Sequence, residues 1–539
     1  MKIVGILVDV HTRDIYPAEI DIEKGRIKEI NKIESAPERF ILPGLIDSHI
    51  HIESSMVTPG AFAVSAVKQG TTGVVSDPHE IANVVGQEGI EYMIKDSEKV
   101  PVKFWFGASS CVPATEFETS GGRIGSKEIK KLLSEMNLKY LAEMMNFPGV
   151  IYDDNEVAKK LEIAKKLNKK IDGHAPGLSG EKLKKYVAAG ISTDHECSSI
   201  DEAREKLKLG MKILIREGSA ARNLESLKDL IKTDPEMIML CSDDLHPEML
   251  LRRHLNKLIS KLIVEGYNKY DVIRSCTVNP VLHYGLEAGL LRKGDSADFI
   301  IVDDINKMNV IETWIGGKKV FSEGKVLFKY GGNKPINKWN SSEINADELV
   351  IKGKGGRLKV IEAFDGELFT KSVSVETVKA EIYEPDPASE ILKIVVKDRY
   401  NDGPPAVGFI KGFGLKNGAF ASSVAHDSHN IICIGANDKD IVSAVNEIVK
   451  MKGGLSVSVN SKTASMKLDI AGIMSSCSCE EVAAGYLNLS EQVKSLGCKL
   501  KAPFMSLSFM ALLVIPELKI GDKGLFDGNK FCLTSLFEE

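Results

Sequence analysis

Four histidines and two acids stand out in this 539-residue sequence by the places at which they fall. His49 and His51 are separated by one residue in GLIDSHIHI (44–52), an apolar run of strand character. Successive side chains of a strand point to opposite faces, so both imidazoles share one face and can grip one ion. A lone His-x-His pair is weak evidence; its weight comes from the company it keeps. Glu143 closes YLAEMMN (140–146), His174 closes KIDGHAP (170–176), His195 closes ISTDHE (191–196) and Asp243 closes MIMLCSDD (237–244). Six such groups at one rim exceed what a single tetrahedral cation needs. Two cations about 3.5–4 Å apart, bridged by a carboxylate and a hydroxide, would use them all. Such a centre makes hydroxide at neutral pH, because coordination lowers the pKa of a bound water from 15.7 to about 7. Asp243 is the candidate to accept that water's proton and pass it to a leaving group. Asp244, next in the chain, is either a substrate contact or a solvated loop aspartate.

These residues need a scaffold that brings distant strand ends together. Between residues 41 and 290 strand-like and helix-like segments alternate. Besides the five runs above, the strands are TTGVVSDPH (71–79), VKFWFGAS (102–109) and MKILIREGS (211–219). Helical patterns follow, as at 155–168 and 247–266. Eight strand–helix units in about 250 residues match a (β/α)8 barrel, whose active site lies at the carboxyl ends of its strands. The competing doubly wound sheet explains the polar strand ends less well. Residues 1–42 read as short strands with a hairpin-like Gly25, and 291–330 return to that texture. A polar linker occupies 331–348, and 349–539 form a further α/β or α+β module, with strands in ILKIVVKD, NIICIGA and GGLSVSV.

Composition narrows the function classes. Hydrophobic residues make up 43 % and charged residues 27 %, which excludes wholesale disorder. Lys plus Arg total 70 against 75 for Asp plus Glu, and no basic stripe interleaved with aromatics occurs, so nucleic acid is not an expected partner. The apolar run FMALLVI (509–515) is far shorter than the ~20 residues of a spanning helix and reads as a core strand; no membrane partner is expected. Nine cysteines without a regular framework suit a reducing cytoplasm. His11, His254 and His283 have no chemical partners in sequence and read as structural, and Met144 and Met145 as core. The glycines of GFGLKNG (412–418) do not follow the dinucleotide fingerprint and read as turns.

Longer motifs then narrow the reading. ILPGLIDSHIHIESSMVTP resembles the opening of the amidohydrolase superfamily barrel, and Thr277-Val-Asn-Pro280 with Gly294-Asp-Ser-Ala-Asp298 resembles its close. HIHIESSMVTP, VVSDPHEIANVVG, LAEMMNFPGV, GHAPGLSG, REGSAARNL and SVAHDSHNI are similar to the bacterial and archaeal adenine deaminases of that superfamily, over essentially the whole chain. The resemblance implies a TIM-type α/β barrel at 43–290, a small β-sandwich built from 1–42 and 291–348, and a family-specific C-terminal domain at 349–539. It implies that His49, His51, His174 and His195 bind metal, that Glu143 bridges where other members carry a modified lysine, and that Asp243 binds metal and shuttles protons. The implied cofactor is a binuclear divalent centre, manganese by preference, with iron or zinc suited by the same nitrogen and oxygen ligands. The implied reaction is attack of hydroxide on C6 of adenine, giving hypoxanthine and ammonia in purine salvage, by a homo-oligomer, a dimer.

Purine recognition needs hydrogen bonds to ring nitrogens. Glu80 is the leading candidate, with Asp77 and His79 beside it, although any of the three could cap the next helix. Arg216 and Ser219, closing the seventh strand, are further pocket candidates, and Glu53 a neighbour of the metal or a helix cap. His426 and His429 in HDSH could ligate metal or reach the pocket. His51-Ile-Glu53 fits half of the signature of the other zinc base deaminases, but no Pro-Cys-x-x-Cys follows. The rival readings are a dihydropyrimidinase-like cyclic-amide hydrolase, against which Glu143 argues, and a non-catalytic barrel scaffold, which would not keep all six ligand positions.

Overall fold

A computed structural model describes residues 1–353, 355–377 and 382–538. Contacts divide the chain into two units, the first made of residues 1–78, 91–110 and 125–333, the second of 79–90, 111–124 and 334–539.

In the first unit all eight expected barrel strands form, in order: Leu45–His51, Thr71–Ser76, Lys103–Ala108, Tyr140–Met144, Ile171–Gly173, Thr193–Asp194, Lys212–Arg216 and Ile238–Cys241, the last resuming as Asp243–Asp244. Strands one to five pair in parallel in one sheet and six to eight in another, and Asp243 and Asp244 at the end of the eighth pair with Ile50 and His51 of the first. Between the fifth and sixth strands the Ser192 N–H donates to the Ile171 carbonyl at 2.9 Å. The first strand is buried along its whole length, as parallel barrel strands are, packed inside and covered by helices outside. The 155–168 helix is observed as Asn155–Lys166, with the Asp154 carboxylate accepting from the N–H groups of Glu156 and Val157. The single helix expected over 247–266 is two, Pro247–Arg252 and Leu255–Val264, broken where Arg253 is extended (φ −158°).

The chain on both sides of the barrel contributes to one eight-stranded sheet. Its order is Lys325–Val326, Lys318–Ser322, Val310–Ile315, Phe299–Val302, Phe40–Pro43, Lys2–Asp9, Asp14–Glu23 and Arg26–Lys32. Gly25, at φ +79°, makes the hairpin between the last two, a conformation glycine adopts without steric cost. Alternation puts Ala18, Ile20 and Ile22 inward, where they pack with Ile41, Phe299, Ile301 and Trp314.

The second unit is built on another eight-stranded, mostly antiparallel sheet that includes the three expected strands, observed as Leu392–Lys397, Ile431–Gly435 and Gly454–Val459. Helix Asp438–Met451 lies on it, capped by Asn437, with Ile441, Ala444, Val445 and Ile448 at i, i+3, i+4 and i+7 buried against Val395, Ala419 and Cys433. The 509–515 run is not the expected strand. Pro503 at a helix start begins helix Pro503–Ser508, and Phe509–Ala511 continues it as a 3-10 turn. No helix among the described residues is long and apolar enough to cross a membrane.

Candidate active site

The strand ends bring together the six residues singled out for metal chemistry. His49 and His51 present their Nε2 atoms on one face, 3.2 Å apart. Glu143, buried at the end of the fourth strand, lies between two histidine pairs. Its Oε1 stands 3.2 Å from His51 Nε2 and 3.9 Å from His49 Nε2. Its Oε2 stands 2.8 Å from His174 Nδ1 and 3.3 Å from His195 Nε2. Asp243 Oδ1 completes the cluster at 3.3 Å from His51 Nε2 and 3.5 Å from His49 Nε2. The backbone at Asp243 is left-handed (φ +57°), uncommon for a residue with a side chain.

The donor set suits divalent cations. The ligand atoms of His49, His51 and Glu143, of Glu143, His174 and His195, and of His49, His195 and Asp243 each fall within 4.8 Å of one another. Two of these groups share Glu143, the arrangement a bridging carboxylate requires. His51 turns its Nδ1–H to the Asp77 carbonyl at 3.1 Å, which fixes the tautomer and leaves Nε2 as a lone-pair donor. His174 Nε2 is buried with no hydrogen-bond partner, a cost that a ligand would remove. Burial opposes charge on these groups. At Glu143 the hydrogen bonds of His174 and His195 overcome it, and at Asp243 the Arg216 guanidinium and the first-strand histidines do, so both carboxyls are held well below the usual range.

Arg216 is buried at the end of the seventh strand and is engaged by carboxylates. Nη1 and Nη2 grip both oxygens of Glu196, with Nη2 at 2.9 Å from Oε2, and Nη1 also reaches Asp243 Oδ2 at 2.8 Å. Glu196, absent from the sequence reading, approaches His195 Nε2 (3.3 Å) and His174 Nδ1 (3.6 Å) as well. The only signal for it was an acid directly following a strand-end histidine. Asn223 accepts from the Arg216 N–H and donates to the carbonyls of His195 and Cys197, tying the sixth and seventh strand ends together. Asp244 accepts from Ser54 Oγ at 2.5 Å, Asp77 accepts from Ser109 Oγ at 2.7 Å, and Ser219 Oγ accepts from the His246 N–H. Glu53 is buried in the 3-10 turn Ile52–Ser55. His254 does have a partner: its Nε2 lies 2.8 Å from Asp47 Oδ2, and its Nδ1 2.6 Å from Thr71 Oγ1.

His79 and Glu80 open helix His79–Val85 and belong to the second unit, together with His426 and His429. There the Glu80 carboxylate is engaged on both oxygens, Oε1 by His426 Nδ1 at 2.5 Å and Oε2 by His429 Nε2.

Residues 40–320 match the amidohydrolase family and residues 367–532 the adenine deaminase C-terminal domain. An adenine deaminase of Methanosarcina mazei is 50 % identical over 552 residues, covering 100 % of both chains. Those of Salinibacter ruber (48 %) and Borreliella burgdorferi (47 %) cover 98 % of this chain and 98 % of their own. The chain belongs to the adenine deaminase family of the amidohydrolases.

Proposed function

We propose that this hydrolase acts on the exocyclic C–N bond of adenine, releasing hypoxanthine and ammonia. The observation that carries the reading is the Glu143 carboxylate set between His49/His51 and His174/His195, with Asp243 closing the cluster. In this reading His49, His51, Glu143, His174, His195 and Asp243 hold two divalent cations, manganese by preference, with iron or zinc accommodated by the same ligands. When bound, the metal supplies a water acidic enough to ionise at neutral pH.

The chain's own residues do the rest. Asp243 takes up the proton of the attacking water on a carboxylate oxygen and delivers it to the departing amine. Arg216 fixes Asp243 through Oδ2, so that Oδ1 is the oxygen turned to the histidines. Asp244 and Asp77 are the carboxylates assigned to the purine, with Glu80, His79 and Arg216 the remaining sequence-based candidates for it. A role in purine salvage, a dimeric assembly, a cytoplasmic setting, a sandwich fold for the flanking sheet and domain limits at 42, 290 and 348 belong to the same proposal.

The test is ammonia release from adenine, adenosine, cytosine and dihydrouracil by protein reconstituted with manganese. Adenine alone should turn over rapidly. Adenosine hydrolysed as fast as adenine would refute a pocket built for the free base, and comparable opening of dihydrouracil would favour a cyclic-amide hydrolase.

A further inference from the structure

The second unit buries a further set of ligand-type residues. His79 and Glu80 stand at the start of helix His79–Val85, and His426, Asp427 and His429 lie on the connection between strands Ala419–Ser422 and Ile431–Gly435. None of the five is more than 6 % exposed. Glu80 Oε1 is 2.5 Å from His426 Nδ1 and 3.4 Å from His79 Nε2. Asp427 Oδ1 is 3.8 Å from His79 Nε2 and 3.9 Å from His426 Nδ1. Nitrogen and oxygen ligands at 2.0–2.1 Å from a tetrahedral ion lie about 3.4 Å from each other. Three of these four separations therefore fall near the edge of such a tetrahedron. The fourth is a hydrogen-bond length that opens by less than 1 Å (about 0.9 Å) when an ion takes the place of the proton.

The electrostatics point the same way. No Lys or Arg pairs with Glu80 or Asp427 among the described residues, although both carboxylates are buried. An ion without a fixed counter-charge is costly to bury, and histidines alone offset it only by taking up protons. Asp427 Oδ2 is buried with no hydrogen-bond partner, so polar capacity at the site is left unused.

We propose that His79, Glu80, His426 and Asp427 form an additional divalent-cation site with ligands of its own, selective for an imidazole-binding ion of the zinc class. His429, on the second oxygen of Glu80, orients that carboxylate. Imidazole nitrogens disfavour magnesium and calcium. The ion would staple helix His79–Val85 to the loop ahead of Ile431–Gly435. It also gives Glu80 and His79 a task other than purine binding.

The experiment is metal counting on the full chain. Protein stripped with chelator is reloaded with zinc, dialysed, and analysed for metal and thermal stability; cobalt loading adds a spectroscopic count of tetrahedral sites. Asp427→Asn and His426→Gln should each hold one equivalent less than wild type, lose one tetrahedral cobalt signal, and melt at lower temperature in zinc but not in chelator. The difference between wild type and variant assigns the ion whatever the barrel residues hold. Equal metal content in wild type and both soluble variants would overturn the proposal, as would Glu80→Gln with full metal and a raised KM for adenine, which would return Glu80 to the purine. Wild-type protein binding no zinc equivalent beyond those lost in a His49→Ala/His195→Ala variant would overturn it even if the second-unit variants failed to fold.

Discussion

Replacing Arg216 by methionine tests whether the buried guanidinium holds the acidic side of the site together. Arg216, Glu196 and Asp243 expose only 7 %, 4 % and 8 % of their side chains. Exposed ion pairs contribute about 0–1 kcal/mol, but removing one partner of a buried pair costs about 3–5 kcal/mol, because the other charge stays buried without a counter-ion. Glu196 keeps His195 at 3.3 Å and His174 at 3.6 Å, which can share its charge, so the lower end applies, about 3 kcal/mol. For a barrel-sized unit that corresponds to a fall in Tm of about 6–12 °C. Arg216→Met combined with Glu196→Gln removes both charges and should recover half or more of the loss, since residues in one network couple by about 0.5–3 kcal/mol. The kcat should stay depressed in both variants, because Asp243 has lost the group that fixes Oδ2. The assay is thermal denaturation and adenine turnover on manganese-loaded protein. An unchanged Tm in Arg216→Met, or a double variant no more stable than the single, would refute the reasoning.

Other perturbations separate the remaining roles. Asp243→Asn keeps a side-chain oxygen but removes the proposed base, so kcat should fall about 10²–10⁴-fold at near wild-type metal content, whereas Asp244→Asn should act mainly on KM; kinetics and metal analysis of both variants decide. His254→Ala removes a donor from buried Asp47 and should cost about 1–3 kcal/mol by thermal denaturation with metal content unchanged. Lys519 is buried against the carbonyls of Leu368 and Phe509, and desolvation lowers its pKa to about 7. Between pH 7 and about 10.5 the unfolded chain then binds more protons than the folded one, so this lysine's penalty shrinks as pH rises, by about 1.4 kcal/mol per unit at most. Lys519→Met should therefore exceed wild type in Tm at pH 6.5 and lose most of that lead by pH 9.5; a lead independent of pH would count against the shift.

The barrel was legible because its signals are local. Eight apolar runs, seven of them closing on polar residues, recur at the spacing of strand–helix units, and all eight are strands. Where a signal was local but ambiguous, the reading failed. FMALLVI is too short for its periodicity to separate strand from helix, and Pro503 upstream decided the matter. The 247–266 helix broke for a non-local reason. His254, at the break, is held by Asp47 and Thr71, about two hundred residues away in sequence.

The same distinction runs through the site. A candidate ligand is visible in sequence because its element type and its residue type coincide at a strand end; what aims its side chain is not. His51 is aimed by the carbonyl of Asp77, and backbone carbonyls carry no residue signature. The backbone at His174 is held by Tyr186, whose hydroxyl also donates to the Met144 carbonyl and so locks the fourth strand end to the fifth. Tyr186 lies in the last turn of helix Gly180–Ala188 on its buried face, where a tyrosine reads as core. Glu196 was hidden for a related reason: its meaning comes from Arg216, one strand later, and Arg216 in isolation looks like a pocket residue. Once the pair is seen, Arg216 is better understood as the counter-ion of two buried carboxylates than as a purine contact. Both of its terminal nitrogens are taken by carboxylate oxygens, those of Glu196 and Asp243.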